Sequence, residues 1–207
     1  MRTLIFLLSI SSFLSACSFF GIQDEEGPEY VTIKKSKKFE IREYQPYIVA
    51  KVTVKGNYDE SSGEAFKILA GYIFGDNSIE KEISMTSPVK VKEKSQKIDM
   101  TSPVKIKEDD QNLSMAFFMP SKYDIKDLPR PRDNRIRFEK IEQQKVAVLK
   151  YSWFSSSQKN KKKAKRLRNW INNKTKYQPL PGYSFAGYNP PWTLPPFKRN
   201  EVHIELK

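Results

Sequence analysis

The sequence predicts an α+β domain in which a large antiparallel sheet or barrel carries two helices. Residues 48–54 alternate between two faces with the period of a strand, and residues 136–153 predict a strand, a polar turn and a long alternating strand. A stretch with helical spacing follows each of them. The two halves of the chain therefore resemble each other in order and spacing, as an ancient duplication would require.

The first residues predict an exported protein. Arg2 precedes an apolar run at 4–14 that is too short to span a bilayer comfortably and is typical of a signal peptide. The run ends in LSAC at 14–17, which resembles a bacterial lipobox, the site at which a lipoprotein is cut and lipidated. We therefore predict a lipoprotein signal peptide at residues 1–16. The alternative is an ordinary secretory signal that happens to end in cysteine.

Cys17 is the only cysteine in the chain and stands where lipidation requires it. Acyl chains on this residue would anchor the protein stably, and a lone acylated cysteine excludes disulfide bonds even in an oxidising compartment. The lipidated cysteine and a tether, acidic and with glycine and proline, are predicted at 17–29, followed by a domain at 30–207. The predicted location is the bacterial cell envelope, lipid-anchored and facing the periplasm, and Ser18 favours the outer membrane.

The first helix is predicted to begin near Ser61. Ser61 and Glu64 have the spacing of a capping box, and Gly75 fits a C-terminal stop. The residues expected on its buried face are Ala65, Phe66, Leu69, Tyr72 and Ile73. Pro46 is predicted to mark a bend within the strand region that precedes the helix.

The pentapeptide MTSPV occurs twice, at 85–89 and at 100–104. Its prolines and its alternating, β-branched flanks argue against a helix, and the polar turn at 93–97 favours two strands joined by that turn. Because proline cannot donate to a strand ladder, Pro88 and Pro103 are expected at strand edges or bulges. We interpret the repeat as two neighbouring strand edges rather than as a paired active-site motif.

The remaining elements follow a similar order. An apolar strand at 113–119 ends at Pro120, and the polar segment 121–135 is the predicted crossover between the halves. The residues expected on the buried face of the second helix are Ala164, Leu167, Trp170 and Ile171. A proline-rich loop then leads to a final strand at 201–206.

Several stretches together resemble the SOUL family of haem-binding proteins. They are FEIREYQPYIVA, YIFGDN, the doubled MTSPV, FFMPSKY and GYNPPWTLPPFKRNEVHIEL, in this order along nearly all of the chain after the tether. The resemblance implies a distorted antiparallel β-barrel with two flanking helices, built from two pseudo-symmetric halves. It also implies binding of haem or other tetrapyrroles in a hydrophobic surface groove, in some members without any protein ligand to the iron.

Five side chains are candidates for contact with such a ligand. Tyr183, Tyr188 and Trp192 could stack on a porphyrin, or could equally anchor the proline-rich loop against the barrel. Met85 and Met100 offer thioether ligands, although methionine is more often a flexible core filler.

His203 is the single histidine, which excludes multi-histidine metal sites, and no catalytic constellation is expected. In the final strand, Val202, Ile204 and Leu206 share one face, whereas His203 lies between two glutamates on the other. The alternation favours a solvent-exposed histidine. The alternative is that His203 is an axial haem ligand, although the family that the chain resembles often has a large aromatic residue at this position.

The net charge of +13 favours acidic partners. Its strongest local source is the second helix, where the candidate partner-binding residues are Lys161, Lys162, Lys163, Lys165 and Arg166. These residues are interpreted either as a solvated helix face or as a site for anionic lipid or for haem propionates. The sequence contains no recognisable nucleic-acid-binding motif, so nucleic acid is not an expected partner.

The function predicted from these features is a membrane-tethered, monomeric, non-catalytic binding protein for haem or a related flat hydrophobic tetrapyrrole. Two alternatives come from other classes. One is a small-molecule hydrolase of the gyrase-inhibitor-like fold, which would need a carboxylate buried in the groove, with Glu64 as its weak candidate. The other is an envelope adaptor that binds anionic lipid through the basic helix.

Overall fold

Nine strands form one antiparallel sheet in the computed structural model, which describes residues 26–78, 95–108, 111–190 and 192–207. The strands before the crossover are β1 Tyr30–Ser36, β2 Phe39–Tyr44, β3 Tyr47–Lys55, β4 Asn77–Ser78, β5 Val104–Glu108 and β6 Asn112–Phe118. Those after it are β7 Arg130–Pro131, β8 Arg137–Ile141, β9 Gln144–Tyr151, β10 Ser184–Gly187 and β11 Asn200–Glu205. The helices are α1 Tyr58–Ile73 and α2 Ser157–Lys174, with single 3₁₀ turns at Ile125–Asp127 and Pro195–Phe197.

The order of the large sheet is β1-β2-β9-β11-β10-β5-β6-β3-β8, and β4 pairs separately with β7. From β2 to β8, strands at mirrored places in this order match β2, β3, β5 and β6 with β8, β9, β10 and β11, in the same chain order. In each half a helix follows the second of these strands. A pseudo-two-fold axis therefore passes between β10 and β5. Ala50 and Ala147 occupy equivalent positions and are both fully buried. The α+β fold with two similar halves is confirmed.

One face of the sheet is covered by the two helices. Helix α1 packs on β3 and β6, and α2 packs on β9 and β11, as the pseudo-symmetry requires. Between helices and sheet lies the main apolar core, which includes Val52, Leu69, Met115, Leu149, Leu167 and Ile204. Burial of these side chains supplies most of the driving force for folding. The opposite face of the sheet is not covered by these helices.

Helix α1 begins one turn earlier than the sequence predicted. Gly56, at φ 104°, turns the chain after β3, and Asn57 is the N-cap. The Asn57 side chain accepts hydrogen bonds from the backbone N–H groups of Asp59 and Glu60, and the Glu60 carboxylate accepts one from Asn57 N. This is a complete capping box. The predicted box of Ser61 and Glu64 is therefore wrong, because Ser61 is buried and donates instead to the carbonyl of Lys55.

The buried faces of both helices are close to those predicted. In α1 the exception is Phe66, which is exposed and leans on the ring of Phe117 at 5.5 Å between centroids. In α2 the exception is Trp170, which is only partly buried and stacks on Phe39 at 4.9 Å. Gly75, at φ 116°, follows the end of α1 as expected. Neither helix within the described ranges is long and apolar enough to cross a bilayer.

The second MTSPV copy is partly a strand and partly a loop. Pro103 immediately precedes β5, so its predicted place at a strand edge is confirmed. The residues before it, 95–103, form no strand, although the sequence predicted one around Ile98. Ile98 is instead buried in the core and donates its backbone N–H to the carbonyl of Ile73 at the end of α1. The first copy, with Met85 and Pro88, lies outside the described residues.

Candidate functional site

The face of the sheet opposite the helices is concave. Ile141 of the edge strand β8 and His203 of the central strand β11 border the same cavity, which requires the sheet to curl around this face. A bridge of rings crosses the concave face: Tyr47 contacts Phe118 at 4.8 Å, and Tyr44 lies 6.3 Å from both Tyr47 and His203, between ring centroids. We call the region around β2, β9 and β11 the closed half, and the region around β8, β3 and β6 the open half.

A buried ion network fills the closed half. The guanidinium of Arg42, fully buried, donates to both oxygens of Glu201 at 2.8 and 2.9 Å and to Glu40 at 2.7 and 2.9 Å. It also donates to the hydroxyl of Tyr44 at 2.9 Å. Lys150 donates to the other oxygen of Glu40 at 2.7 Å. Bidentate geometry of this kind is the strongest form of Arg–carboxylate pairing.

Glu201 is the acceptor at the centre of this network. Besides Arg42 it accepts from His203 Nε2 at 2.9 Å, from the Tyr188 hydroxyl at 2.7 Å and from Arg199 at 2.9 Å. Burial alone would raise its pKa, but hydrogen bonds from His203 and Arg42 outweigh burial and hold the pKa well below its usual range. The carboxylate is therefore ionised and occupied by its partners, so it is poorly placed to act as a general base.

His203 is buried, which corrects the expectation of a solvent-facing residue. It is 6% exposed, and Glu201 beside it is 0% exposed. The alternating pattern of this strand correctly assigned His203 and the apolar residues to opposite faces of the sheet. Both faces, however, are covered by other parts of the protein. Burial lowers the pKa of His203, against the opposing hydrogen bond to Glu201. The imidazole is thus neutral near pH 7, with Nε2 donating to the carboxylate.

Aromatic rings cover the network from the rim. The guanidinium of Arg42 lies 4.3 Å from the ring centroid of Tyr30, and that of Arg199 lies 3.8 Å from the ring centroid of Tyr188. Such cation–π contacts are worth about 0.5–2 kcal/mol, more where water is excluded. The closed half is consequently a structural unit in which the buried charges are paired.

The open half contains a cavity of about 220 Å³ that opens to solvent. Tyr47, Val49 and Ile141 supply apolar surface, and Ser114, Ala116 and Ser184 are the small residues along it. The charged residues on its lining are Lys51, Lys105, Lys107, Glu139 and Glu205, and the neutral His203 lies among them. Small-molecule sites usually measure about 300–1,000 Å³, so this groove would hold one edge of a larger flat ligand.

The lysines of the cavity differ in how they are engaged. Lys51 pairs with Glu139 at 3.0 Å at the exposed edge. Lys105 is deeper, 3.9 Å from Glu205, and burial lowers its pKa against the attraction of Glu205. Lys107, two residues along the same strand, is exposed at the rim. Cations beside a flat apolar wall suit an acidic ligand with a hydrophobic body.

The structure places the predicted site residues in several different regions. Tyr183 and His203 border the cavity, whereas Tyr188 belongs to the ion network of the closed half. Met100 and Trp192 are exposed and do not line the cavity, while Met85 and Cys17 lie outside the described residues. The basic residues of α2 that are exposed on its outer face are Lys161, Lys162, Lys165 and Arg166. Lys163 is partly covered and lies 5.4 Å from the Tyr151 ring centroid.

Sequence reasoning missed Lys105 and Lys107. Their signal was present in VKIKE, where lysines alternate with the buried Ile106. An alternating strand places both lysines on one face, but only the curl of the sheet turns that face into a cavity. Arg42 was missed for the same reason, because a charged residue in an alternating strand is expected to face water.

Comparison with known proteins gives one family. The family model described as "SOUL heme-binding protein" matches residues 25–205. Mouse "Heme-binding protein 2" is 28% identical over 170 residues, covering 82% of this chain and 78% of that protein. "Heme-binding protein 1" of Xenopus laevis is 28% identical over 188 residues, covering 88% of this chain and 91% of that protein.

Two solved structures show the same fold at low sequence identity. The EcmrR C-terminal domain superposes with a TM-score of 0.58 and 9% identity, covering 86% of this chain and 98% of that one. A hydrolase from Listeria innocua gives a TM-score of 0.55 and 8% identity, covering 84% and 94% respectively. Identities this low establish the shared architecture alone.

Proposed function

Because the chain belongs to the SOUL heme-binding family, we propose that it binds haem or another flat tetrapyrrole in the open half of the concave face. The observation that carries this proposal is the lysine-lined groove on a family domain that spans residues 25–205. The relatives that match this chain over most of their length are named heme-binding proteins, which supports the same ligand class. The protein would carry or sequester the ligand without transforming it.

The residues of the groove fit the body and the acidic edge of a tetrapyrrole. Tyr47, Val49 and Ile141 would pack against the flat macrocycle, and Lys105 and Lys107 would bind its carboxylates. Haem iron, when bound, supplies ligand-exchange and redox chemistry. This chain's contribution is to hold the macrocycle and to limit its contact with water.

Iron ligation by the protein is less well supported. Nε2 of His203 already donates to Glu201, and the Met115 and Met119 side chains are buried in the apolar core. We therefore propose that the ligand is held through its faces and carboxylates, which also allows a metal-free tetrapyrrole.

The hydrolase alternative is weaker than the binding function. It requires a buried acid in the groove, and the fully buried acid found, Glu201, lies in the closed half with its oxygens occupied. Glu64, the earlier candidate, is exposed and pairs with Arg135 at 3.0 Å. Both carboxylates are committed to structural contacts, which favours a non-catalytic protein.

Hemin titration tests the ligand. We expect a chain that begins at residue 18 to give a saturable Soret shift at about micromolar concentration, the common range of small-ligand affinity. Replacing both Lys105 and Lys107 by methionine should weaken binding at least about tenfold, because each charge-assisted hydrogen bond contributes about 1.5–3 kcal/mol. Lys126→Met, at an exposed site outside the groove, is the matched control and should bind as the unmodified chain does.

The same titration distinguishes failure of the ligand from failure of the site. The absence of any saturable shift would exclude haem, and protoporphyrin without iron would then be tried. If the Lys105/Lys107 variant bound hemin as tightly as the unmodified chain, haem would stand as the ligand. The groove would then be excluded as its binding site.

We propose further that Cys17 is lipidated and tethers the domain to the periplasmic side of a bacterial membrane. The support is the sequence LSAC at 14–17 and the uniqueness of the cysteine. Expression in a bacterium with labelled palmitate should label the chain, and Cys17→Ser should abolish both the label and recovery with membranes. A labelled Cys17→Ser protein would contradict the tether.

A further inference from the structure

Two segments, residues 153–154 and 192–198, meet at one end of the sheet. Together they form an exposed surface that we call the aromatic tip. Trp153 is 56% exposed, Phe154 is 62% exposed and Trp192 is 63% exposed. Leu194 and Phe197 add further exposed apolar surface in the same loop. Large aromatic side chains in a contiguous exposed group commonly mark an interaction site.

The two segments of the tip are fixed to each other. The backbone N–H of Trp153 donates to the carbonyl of Pro195 at 2.8 Å, and the side chain of the buried Asn200 donates to the carbonyl of Trp153 at 2.6 Å. Lys198 Nζ lies 5.8 Å from the ring centroid of Phe154. The tip is therefore a built surface rather than two independent loops.

Trp153 adopts a backbone conformation that is costly for its residue type. Its φ of 79° lies in the left-handed region, where a bulky residue is a genuine outlier. Residues held in such conformations are strained and tend to occur at functional sites. The two hydrogen bonds to its backbone hold this conformation while the ring remains exposed.

The surroundings of the tip are strongly basic. Residues 143–200 contain thirteen Lys and Arg residues and no Asp or Glu. Lys159, in the first turn of α2, donates to the carbonyl of Phe154 at 2.7 Å, so the basic face of the helix starts at the tip. From Lys159 to Arg166 that face extends about 10 Å along the axis. The acids that approach it are Asp59, 3.4 Å from Ser157 N, and Glu108, 4.0 Å from Lys161.

We infer that the aromatic tip and the adjacent basic face of α2 form a contact surface for an anionic lipid bilayer. Tryptophan concentrates at the membrane–water interface, where its ring is partly apolar and partly hydrated. Lysine and arginine are attracted to the negative surface potential of an anionic leaflet. A protein that combines both lies on the surface without crossing it. This inference does not depend on the ligand proposed for the groove.

Three tryptophans allow a test with an internal control. The full chain is reconstituted into phosphatidylglycerol–phosphatidylcholine vesicles that contain brominated phosphatidylcholine, a quencher of tryptophan fluorescence. Each of three variants has two tryptophans replaced by phenylalanine, so that Trp153, Trp192 or Trp170 is the single tryptophan that remains. Trp170 is the control, because it is partly buried and stacked on Phe39 at the other end of α2.

The lone Trp153 and Trp192 should be quenched at least about twofold more than the lone Trp170, because only the tip enters the interface. The difference should shrink in pure phosphatidylcholine and at about 0.5 M salt, which screens charge–headgroup attraction. The double replacement of Lys159→Gln and Lys198→Gln should also reduce this difference in quenching.

Equal quenching of the three tryptophans, or no quenching of Trp153 and Trp192, would overturn the inference. A second copy of the chain on the tip is a competing occupant. It would appear as a dimer in analytical ultracentrifugation that Phe154→Ser dissociates, without quenching by brominated lipid, and that result would also overturn the bilayer proposal.

Discussion

The two halves of the concave face are built on the same strand frame but differ in what occupies it. By the strand pairing, Glu201 and His203 of the closed half correspond to Ser114 and Ala116 of the open half. The small pair leaves the cavity empty of protein, whereas the large polar pair fills the same volume. The two pseudo-symmetric halves thus differ: one is filled by an ion network, and the other contains the cavity proposed as the ligand site.

The charges of the two halves are also related by the axis. Arg42 of β2 corresponds to Glu139 of β8, since they face the equivalent residues Val146 and Val49. Arg42 is sealed from water, whereas Glu139 forms an ion pair that is more than one-third exposed. The outer edge of β2 is covered by β1, whereas β8 is at the sheet edge within the described residues. Coverage, rather than residue type, decides the strength of each pair.

The largest expected effect comes from breaking this asymmetry in the closed half. Arg42→Met should lower the free energy of unfolding by about 3–5 kcal/mol, because it leaves Glu40 and Glu201 buried without their shared cation. Urea denaturation of the variant and the unmodified chain measures the difference. The matched control is the equivalent position, where Glu139→Gln should cost less than about 1 kcal/mol. Equal losses would show that the two halves are energetically alike.

Filling the open half should weaken the proposed binding of hemin while preserving the fold. Ala116→Phe places a ring where the equivalent His203 stands in the closed half, and hemin affinity should fall at least about tenfold, or 1.4 kcal/mol. Ala116→Ser, which adds a single oxygen, is the control and should bind normally. Circular dichroism monitors the fold of both variants. Unchanged affinity in Ala116→Phe would place the ligand elsewhere.

A smaller effect is expected in the pH dependence of stability. The folded-state pKa of His203 is lowered by burial, so the unfolded chain takes up a proton first. Stability should therefore begin to fall as the pH drops through about 6.5, the unfolded value. The groups that face His203 are Glu201 on its own strand and Arg42, Tyr44 and Lys105 on other strands. Urea midpoints between about pH 7 and 5 measure this loss.

The replacement His203→Gln isolates that contribution. Glutamine can still donate to Glu201 but does not titrate, so the curve should be flatter over the same pH range. A second decline is expected in both proteins below about 4.5, because Glu201 has a lowered pKa and loses its stabilisation as it becomes protonated. A variant curve as steep as the original near neutral pH would assign the titration to another group.

Much of the fold follows from residue spacing, because periodicity records which residues share a face. The two-strand region around Pro46, the strand near Met115 and the helix ending before Gly75 all lie where the pattern placed them. The helix start was ambiguous, since Asn57 with Glu60 and Ser61 with Glu64 both have capping-box spacing. The turn at Gly56 decides between them, and that turn is a property of the folded chain.

The site was less predictable than the fold. A strand pattern separates two faces without saying which neighbours cover them, so His203 and Glu201 were assigned to solvent although they are buried. Lys105 and Lys107 become cavity residues only through the curl of the sheet. Tyr183 and His203, which border the cavity, were singled out as an aromatic residue of the late loop and as the single histidine, rather than through periodicity.

The interleaved order of the sheet has a consequence for how the chain is made. Tyr44 of β2 pairs with Gln144 of β9, one hundred residues later. The first half therefore lacks one neighbour of β2 until most of the chain has been synthesised, and pairing across such sequence distances folds slowly. A chain shortened before β9 would expose an unpaired strand edge, which invites association with other chains. Folding of the first half is thus coupled to completion of the second half.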